Sequence, residues 1–179
     1  MPVQTSYSDT YKVGFAGMLA DSGGGAHDIM SMVNVDVVSI PFGTGVIFKS
    51  SNVTDMDALQ PLGSSDKVAG IVVFSDAYQR TYTLGDGTLG GDLDSVGLVV
   101  GTIMNVLRKG RIWVTPVTAC APGDRGYLSY NATGVATAVG LWENAADSGH
   151  TIDMSAQTVF VTTALAGGLA ILDCNFTNQ

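Results

Sequence analysis

Charge is what this sequence has least of. Only 13% of its 179 residues are Asp, Glu, Lys or Arg, where an average soluble chain carries roughly 25%. Lys and Arg number 8 against 16 acids, a net charge of −8. A chain so poor in cations has no dense basic face for neutralising phosphates, which argues against free nucleic acid as a partner. Glutamate is nearly missing: Glu143 is the single one, and every other acid is Asp. Asp favours turns and caps while Glu favours helix interiors, so the material of exposed helices is lacking. Cysteine is scarce too. Cys120 and Cys174 have no Cys or His at metal-ligand spacing, and they read as reduced, buried thiols.

Long apolar runs are also absent, although mean hydropathy is +0.29. Residues 96–107 are interrupted by Gly97, Gly101 and Asn105, and residues 159–172 by Thr162, Thr163, Gly167 and Gly168. Neither approaches the roughly 20 apolar residues of a spanning helix, so no membrane partner is expected. Residues 1–10 are polar, without the basic and apolar regions of a signal peptide. An apolar, charge-poor chain of this kind points to a surface largely covered by neighbours, since obligate interfaces resemble a core cut in half.

What is present is glycine, 23 residues of it, separating short strand-like runs. In residues 29–40, Val33, Val35 and Val37 alternate with Asn34, Asp36 and Val38 until Pro41 ends the run. Residues 45–49 form a second run. Residues 68–74 are continuously apolar, as in a strand buried on both faces. Residues 79–84 fit an edge strand. Residues 97–107 and 110–118 flank Arg108-Lys109-Gly110 and predict a hairpin with Gly110 in the turn. Residues 126–130 and 135–139 predict another around residues 131–134, and residues 159–163 and 169–176 close the chain. Only residues 55–59 and 145–149 tolerate a helical turn. The expectation is an all-β chain: a single β-sandwich or β-barrel-like domain, residues 13–179, of about nine or ten short strands, with residues 1–12 as an extended N-terminal arm.

Chemical motifs are few. His27 precedes Asp28 and His150 follows Ser148-Gly149, but no nucleophile elbow accompanies either, and both fit solvated loop histidines. The glycines at 23–25 lack the Lys-Ser/Thr of a phosphate loop. Asp86, Asp92 and Asp94 lie in a Gly-rich stretch that lacks both the EF-hand spacing and its terminal Glu. Three of the eight cations, Arg108, Lys109 and Arg111, fall on one predicted turn beside Trp113. That pairing suits docking to an acidic surface, because Arg and Trp are enriched at interface hot spots. The aperiodic segment of residues 1–12 offers Pro2, Tyr7, Tyr11 and Lys12 as further contacts with a neighbour. No catalytic residue, metal ligand or cofactor is expected.

Six short motifs, in order, resemble one family. They are GFAGMLAD from Gly14, IPFG from Ile40, VAGIVV from Val68, KGRIWV from Lys109, PGD from Pro122 and LAIL from Leu169. Together they are similar to the structural cement proteins of tailed phages, β-rich subunits that clamp capsomers on the outside of the head. The resemblance spans residues 14–175 and implies a virion location on the outer capsid surface, the major capsid protein as partner, and a homo-oligomer, dimer or trimer. It implies no catalytic residues. The competing expectations are a soluble β-barrel ligand- or calcium-binding module and a hydrolase built on His27 or His150.

Overall fold

The computed structural model describes residues 14–20, 27–49, 56–75, 97–136 and 138–177. Among these residues every regular element is a strand: β1 (Asp28–Asn34), β2 (Ile40–Pro41), β3 (Gly45–Phe48), β4 (Asp57–Leu59), β5 (Val68–Val72), β6 (Gly97–Leu98), β7 (Ile103–Val114), β8 (Tyr127–Ser129), β9 (Trp142–Glu143), β10 (Thr151–Asp153), β11 (Thr158–Phe160) and β12 (Ala170–Asn175).

The main sheet runs β1-β4-β3-β5-β7-β12-β11, and β1 also pairs with β7. That last pairing closes β1, β4, β3, β5 and β7 into a barrel, which removes the free edges that an open sheet would present. β12 and β11 extend the wall beyond it. A three-stranded sheet, β10-β8-β9, lies outside, and β2 pairs with β6.

Strand periodicity sorts the apolar side chains into two cores, because successive residues face opposite sides of a strand. Along β3, Val46 and Phe48 join Met32, Phe42, Ala69, Val72, Met104 and Val106 in one buried cluster. Their neighbour Ile47 joins Ile71, Leu107, Ile112, Leu128, Trp142, Phe160 and Leu172 in the other. The barrel wall therefore separates two hydrophobic volumes. This is why β5 is buried at all five positions, as its unbroken apolar run predicted. Gly70 is the point of closest approach in that wall: a Cβ there would overlap the Leu107 carbonyl oxygen.

Several expectations change. The hairpin around Arg108-Lys109-Gly110 does not form; β7 runs straight through these residues for 12 positions. Its partner on one edge changes at that point, from β1, which pairs as far as Lys109, to β12, which takes over residues 109–114. Gly110, at φ 133°, accommodates the handover, with the His27 ring where its side chain would be. Residues 135–136 and 138–139 form no strand, and β8 pairs with β9 and β10 instead. Residues 29–40 do not continue as one strand, because β1 ends at Asn34 and the chain bends before β2. Residues 57–59 are a strand, β4, rather than a helical turn. The β11–β12 pairing follows the expected closing hairpin. Residues 79–84, the aspartates 86, 92 and 94, and residues 1–12 lie outside the described residues.

Candidate docking surfaces

Of the eight contact residues expected from the sequence, Arg108, Lys109, Arg111 and Trp113 all lie on β7. Pro2, Tyr7, Tyr11 and Lys12 lie outside the described residues. On β7 the intrachain engagement of the cations is uneven: Arg111 is in an ion pair and Arg108 reaches a carbonyl, while the Arg108 Nε is buried without a partner. Arg111 Nε donates to Asp173 Oδ2 at 3.0 Å. Lys109 stands opposite Asp28 in the ladder, and Arg108 Nη2 reaches the Phe176 carbonyl at 3.4 Å. Internal pairing of this kind weakens the case for an acidic partner here, because half-exposed charges already in contact have less to gain from a new one.

Trp113 is placed differently. It lines an open groove of about 800 Å³ with Ala16, Phe42, Leu141, Thr163 and Leu169. Among the described residues no charged one contributes to the lining. Four of the six sequence motifs contribute to the lining, through Ala16, Phe42, Trp113 and Leu169. Gly17 (φ 85°) and Gly43 (φ 78°) stack backbone to backbone, and a Cβ on Gly17 would come within 2.7 Å of Phe42 Cβ. Gly17 donates to the Trp113 carbonyl at 2.8 Å, and its own carbonyl accepts from Phe74 N at 2.8 Å. Phe74 is sandwiched edge-on between Phe15 and Phe42, at centroid distances of 4.2 and 5.0 Å. Sequence reading found each motif but not the groove, which exists only where distant segments converge.

A second surface lies at the far end of β7. Asn34 is fully buried and ties two loops together. Its Nδ2 donates to the carbonyls of Leu98 (2.7 Å) and Val38 (3.2 Å), and its Oδ1 accepts from Asp36 N at 2.8 Å. Its backbone pairs with Gly101 and Thr102. The loops held this way expose Val37 (93%), Val38 (46%), Val99 (52%) and Val100 (60%). Large side chains left in water on a braced surface mark an interaction site more often than scattered ones do.

The remaining chemistry is modest. His150 Nδ1 lies 3.2 Å from Asp147 Oδ1, three residues earlier in the same turn. Asp147 also accepts from Val135 N, and that bond is the main reason its carboxyl sits below the ordinary range. Glu143 is buried nearby, with Oε1 unpartnered. Burial, and then Asp147, push its pKa up, while His150 opposes them. Both cysteines are buried and free, and burial raises both thiol pKa values. Among the described residues no group of three His, Cys, Asp or Glu is placed to hold a metal ion.

Comparison with known proteins points one way. Among solved structures, a chain from "The capsid of Myoviridae Phage XM1" shares the fold with a TM-score of 0.64 at 16% identity, covering 98% of both chains. No curated protein matches. Residues 3–175 match the family described as "Structural cement protein (E217 gp24/Pam3 gp6)". With nearly the whole chain matched and a barrel that a phage capsid chain shares, this protein belongs to the phage structural cement family.

Proposed function

We propose that this capsid-stabilising structural protein of the phage virion binds the outer surface of the head, with the major capsid protein as its partner there. It acts as a homo-oligomer, dimer or trimer, and has no catalytic role. The observation that carries the reading is the apolar tip of Val37, Val38, Val99 and Val100, held rigid by a buried Asn34. A preorganised apolar surface binds without paying again for loop ordering, which suits a subunit that must grip a fixed lattice.

The contacts expected from the sequence supplement that tip: Pro2, Tyr7, Tyr11 and Lys12 from the N-terminal segment, and Arg108, Lys109, Arg111 and Trp113 from β7. The intrachain pairing of Arg111 with Asp173 ranks the cations below the segment in importance. The test is co-sedimentation with capsids that lack this protein. Val37→Asp with Val100→Asp should abolish binding, deletion of residues 2–10 should weaken it, and Arg108→Ala with Lys109→Ala should weaken it least. Full occupancy by the Val37/Val100 double variant would overturn the assignment of the tip.

A further inference from the structure

The valine tip does not use the groove beside Trp113, and the chemistry of that groove restricts what it can take. We propose that it is a socket for residues 2–12 of a second copy of this chain, so that neighbouring copies are joined by exchanged N-terminal segments. The inference rests on the reading of the chain as an oligomeric assembly subunit and names the joint.

Three observations support that occupant. The first is where the described chain begins. Gly14 lies so close to the Trp113 indole that a Cβ on it would come within 3.0 Å of the ring. The 13 residues before it therefore start at the lip of the groove. At roughly 3.3–3.6 Å per residue they span up to about 45 Å, well beyond the roughly 16 Å radius of gyration of a compact chain of this length.

The second observation is composition. Residues 10–13 are Thr, Tyr, Lys and Val, and none is a Gly, Pro, Asn or Asp, the residues that make tight turns. A segment without turn formers next to Gly14 suits reaching a neighbour's groove better than folding back on its own.

The third observation is charge. Each copy carries −8, so two copies repel over most of their surfaces. The segment holds one acid and one cation, Asp9 and Lys12, and the described residues of the groove lining include neither. Its Tyr7 and Tyr11 are rigid side chains that fill apolar space at low entropic cost and keep a hydroxyl for the threonines at the rim.

The experiment uses purified protein without capsids, so that failure of this joint is separable from failure of capsid binding. Trp142 is fully buried, so acrylamide quenching reports on Trp113. Three results are expected. Deletion of residues 2–12 should expose Trp113 to quencher and convert the oligomer to monomer in sedimentation velocity. A synthetic peptide of residues 2–12 should restore protection to the deleted chain, and the same peptide with Tyr7→Ala and Tyr11→Ala should not. Thr163→Phe, which places a ring in the groove from its exposed rim, should abolish peptide protection while leaving the thermal transition within a few degrees of wild type. A full-length chain that is monomeric with Trp113 protected would assign the groove to its own segment and overturn the exchange. Unchanged quenching on deletion, with no effect of peptide, would overturn the socket altogether.

Discussion

The two cores on either side of the barrel wall are stabilised by different means. Inside the barrel, long ladders satisfy the backbone and the side chains need only pack. β1 and β7 pair over six registered positions, and the interior is almost wholly aliphatic or aromatic. Outside, β8, β9, β10 and β11 are two or three residues long, and polar side chains take over where ladders are short. Thr118 Oγ1 donates to Asn144 Oδ1 at 2.7 Å, and Asn144 Nδ2 donates to Asp124 at 3.2 Å. The Trp142 indole donates to the Gly43 carbonyl at 3.2 Å, and Thr158 Oγ1 to Met154 O at 2.9 Å. Of these the Trp142 bond crosses to the barrel, as does the backbone bond from Gly45 N to the Gly140 carbonyl at 2.9 Å, and the apolar contacts of the shared core complete the joint. Burying a carboxyl such as Glu143 is tolerated there and has no counterpart among the residues of the barrel interior.

If the outer layer is integral, Trp142→Ala should cost about 3–5 kcal/mol, since it empties a large buried site and removes a bond to the barrel. Chemical denaturation followed by fluorescence and by circular dichroism should show one transition. Two separated transitions, with the second unchanged, would show that the layers fold independently. Gly70→Ala should cost about 3 kcal/mol, at the upper end for overpacking, because the obstacle is the backbone of Leu107 rather than a mobile side chain. Asn34→Ala should cost about 1–3 kcal/mol by leaving loop carbonyls unpaired. It should also raise hydrogen exchange at Gly101, whose amide bonds the Asn34 carbonyl, before it affects β12.

The fourth change probes the buried acid. Because the Glu143 pKa is raised in the folded state, folding favours its protonated form. Stability from this group is then fullest below the ordinary carboxyl range and declines as pH rises through that range toward the raised value. Glu143→Gln should therefore gain thermal stability relative to wild type on going from about pH 4 to about pH 7.5. A difference that shrinks over that interval would refute the burial argument. The smallest effect belongs to Arg111→Ala. Its pair with Asp173 is half exposed, so less than about 1 kcal/mol should be lost, and less still in high salt.

The same contrast governs what could be read from the sequence. The continuous apolar run of β5 and the closing β11–β12 pair were legible because local pattern and tertiary setting agree. β7 was not. Arg108-Lys109-Gly110 has the composition of a hairpin tip, and only the exchange of β1 for β12 along one edge explains a glycine in mid-strand. β4 and β9, at three and two residues, are too short to show a period. For the candidate site, Trp113 was expected as a contact, and the groove it lines is assembled from residues as far apart as Ala16 and Leu169. The valine tip is equally non-local, because it depends on one buried amide binding loops 64 positions apart.

The length of β7 has a mechanical consequence. One end of this strand abuts the valine tip and the other carries Trp113 at the groove, with partners hydrogen-bonded along both edges between them. A pull applied between tip and groove runs parallel to the strand and loads those bonds in shear. They must then yield together, whereas a force across the sheet would open them one at a time. A subunit built around such a strand is stiffest along the line joining the valine tip to the groove.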